Sequence, residues 1–300
     1  MTAPRAALFQ RLSTTSWREA APVIGAAVAF GILFWQPMVT LGRDWWSDPE
    51  AGHGLPLAPL AAYLAWKRGW ATDGHGQGTD ARGQPVLGIA ILVGAVLLRY
   101  VSGLAAELFI MRASLLGAGI GLVVFLGGVR QLIHWWLPTT LLALSIPLPA
   151  VVLGSLALPL QLKASQLGAA MLELRHVPVR VAGNVIHLPG QSLFVTEACS
   201  GLRSLTALLA LGVLIGGLWL KSVPGRALIV LSAIPVAMAM NGVRIFLTGF
   251  FAYFVSPSLA EGIMHYSEGW AMFVVAFALL GLVSWATAAV EGRVRARWAA

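Results

Sequence analysis

Residues 20–42, between Glu19 and Arg43, carry no charged side chain, and comparable charge-free apolar runs recur along the chain, among them 113–129, 131–162, 204–220, 227–243 and 269–290. A helix needs roughly 20 mostly apolar residues to cross the hydrocarbon core of a bilayer, with about 17 as the lower limit. Charged residues make up 11% of the 300 and hydrophobic ones 58%, whereas an ordinary soluble domain is about 25% charged. A water-soluble chain of this length has no interior large enough to hide that apolar surface. The same content excludes disorder, and no low-complexity tract or repeat is present. The single Cys rules out an intramolecular disulfide framework and argues against a Cys-based zinc site. The expected fold is an all-α polytopic membrane protein, one integral-membrane domain over 1–300.

Reading from charge to charge gives about eight transmembrane helices, at about 20–41, 54–66, 85–104, 108–128, 133–154, 201–220, 227–250 and 267–290. The fourth ends at Gly127-Gly128, and the IPLP element at 146–149 should bend or end the fifth. Residues 155–175 alternate apolar positions with Gln161, Lys163, Gln166, Glu173 and Arg175. That pattern reads as an amphipathic or re-entrant helix, interfacial or packed within the protein. The stretch 177–198, β-branched between Pro and Gly, reads as a short extended or hairpin-like excursion outside the bilayer, before span six. The first apolar stretch ends in WQPMVTL with no small-residue cleavage site, so it is expected to be an anchor.

Lys and Arg resist translocation and collect in cytoplasmic loops. With eight crossings the inside segments hold Arg5, Arg11, Arg18, Lys67, Arg68, Arg82, Arg130, Lys221, Arg226, Arg293, Arg295 and Arg297 against four acidic residues. The whole net charge of +8 is then a topology signal, and no nucleic-acid partner is called for. Both termini are placed in the cytoplasm.

Polar residues within or beside spans are costly and are the default functional candidates. Three clusters fall on the outer side. Thr196-Glu197-Ala198-Cys199-Ser200-Gly201-Leu202-Arg203 opens span six, where a helix N-terminus and Arg203 would favour a thiolate. Asn241-Gly242-Val243-Arg244 lies late in span seven, and an Arg at that depth should face the bundle interior or a water-filled cavity. His265, in GIMHYSEGW before the last span, has the side chain best suited to exchange protons near neutral pH. Cys, Arg and His together supply a nucleophile, an oxyanion clamp and a general acid/base. A fourth segment, Asp44–Gly54, is read as the first outer loop. Its His53 and acids make weak metal ligands without partners elsewhere, so no metal and no cofactor are expected.

WWSDPEAGHG followed by LAPLAAYLAWKR, IPLP with LQLKAS downstream, VTEACSGLRSL, IPVAMAMNGVRI and the His before the last span resemble, in order and spacing, the exosortase family over most of the chain. The resemblance implies a bacterial inner-membrane enzyme whose site faces the periplasm. Its implied substrates are membrane-anchored proteins with a C-terminal PEP-CTERM signal: a Pro-Glu-Pro motif, a transmembrane stretch and a basic tail. Carried over by position, Cys199 would be the nucleophile of a thioacyl intermediate, Arg244 the basic residue and His265 the acid/base. Glu197, Arg203, Asn241 and His53 would support them. The acceptor would be a nucleophile tied to exopolysaccharide export. Some family members carry a further C-terminal domain; here the chain ends at the RVRAR tail, and that function would belong to another chain. The competing classes are a membrane transporter or polysaccharide-export subunit, a non-catalytic scaffold and, among enzymes, a membrane acyltransferase or a purely hydrolytic protease.

Overall fold

The computed structural model describes residues 17–71, 83–195, 202–255 and 263–299. Their elements, in chain order, are α1 (Trp17–Leu33), α2 (Trp35–Ser47), α3 (Gly54–Arg68), α4 (Pro85–Leu104), α5 (Leu108–His134), α6 (Trp136–Leu144), α7 (Ala150–Glu173), β1 (Arg180–Ala182), β2 (Val185–Leu188), β3 (Gln191–Phe194), α8 (Leu202–Trp219), α9 (Val223–Phe254) and α10 (Ile263–Ala299). Local chemistry sets several of these limits. The Glu107 carboxylate accepts from the Ile110 N–H (2.7 Å) at the start of α5, and Ser222 Oγ accepts from the Gly225 N–H (3.0 Å) at the start of α9; both are N-caps. Gly128 takes φ +69° and breaks α5 where the Gly-Gly pair was expected to end it.

Among the described residues, α4, α5, α9 and the Ala271–Ala296 part of α10 are long and apolar enough to cross a membrane. A fifth candidate is bent: Ile24–Leu33 and Trp35–Ser47 meet at 61°. The expected first span, about 20–41, is thus broken in two, and its second piece continues into the stretch read as the first outer loop. Pro37 has no N–H to give to the preceding turn, so the helix breaks at Phe34. The second piece then runs on to Ser47 and takes Asp44 into the helix. Expected spans two, five and six correspond to α3, α6 and α8, of 15, 9 and 18 residues. These three pack on one another through Leu57, Ala61 and Leu64, Leu137 and Leu141, and Ala210. As expected, the IPLP element ends α6: Ser145 closes it and Pro149 precedes α7.

Two chemically distinct ends result. At one, Arg68 donates to the His134 carbonyl (2.9 Å), Arg226 lies 4.8 Å over the Trp136 ring, and Glu291 accepts from Lys221 N and Ser222 N. Burial, and then the neighbouring Arg226 charge, push Arg68 below the usual guanidinium range. At the other end, Arg112 pairs with Asp44 and Trp45 Nε1 donates to the Ser145 carbonyl (2.8 Å).

The amphipathic helix is longer than expected, beginning at Ala150. Its buried stripe is Ala157, Gln161, Ala164, Ser165, Gly168, Ala169 and Leu172, at the three- and four-residue spacing of one face. It crosses α9 so closely that a Cβ on Gly168 would stand 2.5 Å from Ile245 Cγ2 and one on Gly242 2.3 Å from Leu167 Cδ2. The C-terminal part of the helix, Ala164 to Leu172, packs against the sheet that follows it. The extended or hairpin-like excursion expected over 177–198 is, in its described residues, a three-stranded antiparallel meander, a small sheet added to a mostly helical fold. Gly183 (φ +65°) and Gly190 (φ +80°) occupy its two turns, the second of which is Pro189-Gly190, as a type II turn requires. Ile186, Leu188 and Val195 bury the sheet against Ala164, Ala169 and Leu172 of α7 and Ile245 of α9.

Candidate functional site at the sheet end of the bundle

Three helices deliver their candidate residues to the end that carries the sheet. The α8 helix starts there at Leu202, α9 finishes there, and α10 starts there at Ile263. Cys199 and Glu197 lie outside the described residues, between buried Val195 at the end of the sheet and Leu202. His265 has its backbone in the first turn of α10.

The first turns of α8 separate two cavities. Arg203, Thr206 and Leu209, at three-residue spacing, line one of about 180 Å³ together with Asp48, Glu50, His53 and the Ile146-Pro147-Leu148 turn. Arg203 and His53 are 150 positions apart in sequence, and the fold brings them to one wall. His53 is held to backbone on both ring nitrogens, 3.0 Å from the Glu50 carbonyl and 3.1 Å from the Leu144 carbonyl. A neutral imidazole has one N–H and can satisfy only one of these acceptors at a time. His53 therefore ties the Asp48–Gly54 loop to the end of α6. Gly54 is obligatory at that joint, since a Cβ would meet Trp45 Nε1 at 2.1 Å and the Ser145 carbonyl at 2.8 Å. The loop's acids and imidazole do not form a metal centre: among the described residues no group of three His, Cys, Asp or Glu side chains could hold one.

On the opposite face of the same turns, Ser204 and Leu208 join Asn241 and Arg244 of α9 and Met272, Phe273 and Ala276 of α10 around a cavity of about 20 Å³. That is room for about one water. Arg244 faces this interior, as its cost in a membrane helix predicts, and its carbonyl accepts from Thr248 Oγ1 (3.0 Å). Asn241 is 6% exposed and also lines a second cavity of about 20 Å³ with Lys163, Ala164 and Leu205. Seven residues of α10, about 10 Å of helix, separate His265 from Met272.

Sequence reasoning missed two parts of this arrangement. Lys163 counted only as a polar position of the amphipathic helix, yet it shares a cavity with Asn241; its place in LQLKAS was the available signal. The Asp44–Arg112 pair was invisible because the two residues come from different stretches.

Charged groups gather at both ends of an apolar helix bundle, and the described site candidates Arg203, Asn241 and Arg244 lie around the cavities at the sheet end. No curated protein and no solved structure gives a significant match to the chain. The profile described as transmembrane exosortase matches residues 45–282, from the tryptophan pair of α2 to the middle of α10. With that profile spanning the loop, both cavities and the three helices around them, the chain belongs to the transmembrane exosortase family.

Proposed function

We propose that this protein is a cysteine-dependent sorting transpeptidase of the bacterial inner membrane, with both termini cytoplasmic, about eight crossings and its site facing the periplasm. The observation that carries the reading is the family match over a stretch that includes Cys199, Arg244 and His265. The convergence of α8, α9 and α10 at one end supports it. Family membership by itself supports a membrane sorting transpeptidase in general.

A substrate's PEP-CTERM signal lies with its transmembrane stretch against the bundle, its Pro-Glu-Pro motif at the periplasmic rim and its basic tail inside. The Cys199 thiolate attacks the scissile carbonyl carbon. Arg244 holds the oxyanion that develops, the task for which a fixed cationic donor is most effective. The C–N bond then breaks, His265 gives its proton to the departing amine, and the acyl group remains on sulfur as a thioester. An acceptor nucleophile, linked to exopolysaccharide export, next gives its proton to His265 and takes the acyl group, restoring the thiolate. Arg203 and Glu197 set the charge around the thiol. Asn241 and His53 hold the walls of the two cavities.

The test is mass spectrometry of the enzyme after exposure to substrate and of the released substrate's new C-terminus. The expected results are a hydroxylamine-labile acyl adduct on the peptide containing Cys199 and a substituent on the new terminus. A free carboxylate would assign hydrolysis in place of transfer. Processing with no adduct at Cys199 would overturn the mechanism.

A further inference from the structure

A larger cavity lies away from the α8–α10 site. It measures about 310 Å³, and its walls come from α2 (Leu41, Trp45), α3, α5 and α6. On α5 the lining runs from Arg112 to Val123, and on α6 from Pro138 to Leu142 and on to Ile146. Eleven residues of α5 are about 16 Å of helix, so the cavity is long in the direction a lipid chain takes. The middle of the walls is apolar. A side chain added at Gly119 would meet nothing within 4 Å, so the opening is real at that level.

One end of the cavity is polar. Arg112 lines it and is 6% exposed. One of its terminal nitrogens pairs with Asp44. Among the described residues its Nε–H finds no acceptor. A buried guanidinium donor left without an acceptor is costly, and a phosphate oxygen is the partner whose geometry and charge suit the remaining edge of the fork.

We propose that this groove is a phospholipid site: one acyl chain lies between α3 and α5, and the phosphate accepts from Arg112 Nε at the Trp45 end. The site is independent of the proposed catalysis. The test uses the full-length protein, delipidated in detergent and titrated with phosphatidylglycerol, with bound lipid counted by native mass spectrometry. Gly119→Phe fills the groove, and Gly281→Phe adds the same side chain at another open helix position, on α10. Arg112→Lys keeps a cation for Asp44 and removes the Nε–H. Expected is the loss of one tightly held lipid in Gly119→Phe, weakening of at least about tenfold in Arg112→Lys, and wild-type retention in Gly281→Phe, with helical circular dichroism unchanged. Equal retention by wild type and Gly119→Phe would overturn the proposal, as would equal loss in Gly119→Phe and Gly281→Phe. If Gly119→Phe does not fold, Arg112→Lys decides: unchanged affinity there overturns it.

Discussion

The charged residues embedded in this bundle are held by specific neighbours. Arg112 pairs with Asp44, and Arg99 donates to Gln36 Oε1 at 2.7 Å. In a low-dielectric setting, removing one member of an ion pair leaves an uncompensated charge, which costs more than the pair itself contributes. Asp44 keeps partial exposure, which tempers the effect. Asp44→Asn is expected to destabilise the folded protein by about 1–3 kcal/mol, visible as a lower midpoint of thermal unfolding in detergent. Arg244 follows the same logic with a different outcome: it faces a water-sized space between α8, α9 and α10, where a cation can meet a developing negative charge. That Arg244 is interior was readable from the sequence alone, because its depth in an apolar run left few alternatives. The partner of Arg112 was not, because pairing between stretches depends on how helices are arranged around each other.

At the scale of elements, small residues decide where helices approach. The α7–α9 crossing exists because Gly168 and Gly242 leave room for Ile245 and Leu167, and it positions Asn241 and Arg244 relative to the sheet. Gly168→Leu should push the two helices apart and cost about 1–3 kcal/mol by overpacking, measured as a fall in thermal stability together with greater protease sensitivity of 177–195. The helical character of most apolar runs, the stop at Gly128 and the break at IPLP were legible, since hydropathy, Gly and Pro act locally. The break at Phe34 was not read, although Pro37 was its cause, because a continuous apolar run conceals a bend. The sheet was underestimated for a similar reason. Each strand has only three or four residues, too few for period-two alternation to show how many strands an extended or hairpin-like stretch holds.

The whole molecule is polarised. Arg68, Lys221, Arg226 and Glu291 meet at one end, while the sheet and the starts of α8 and α10 lie at the other. If that polarity is the membrane orientation, then in a Cys199→Ala background a membrane-impermeant maleimide should label Ser192→Cys, on exposed β3, in intact spheroplasts. Thr79→Cys, in the stretch between α3 and α4 that the charge distribution assigns to the cytoplasm, should react only after permeabilisation. The reverse pattern would invert the topology. Segregation of charge was readable from the sequence as a count, and the fold adds that the basic residues of separate loops converge on one another.

Processing is proposed to run through Cys199, the only thiol in the chain. It is tested most directly by immunoblotting a PEP-CTERM substrate in cells carrying wild-type enzyme or Cys199→Ala at equal expression. With Cys199→Ala the shortened form should disappear and the full-length substrate should accumulate in the membrane. Normal processing by that variant would contradict it.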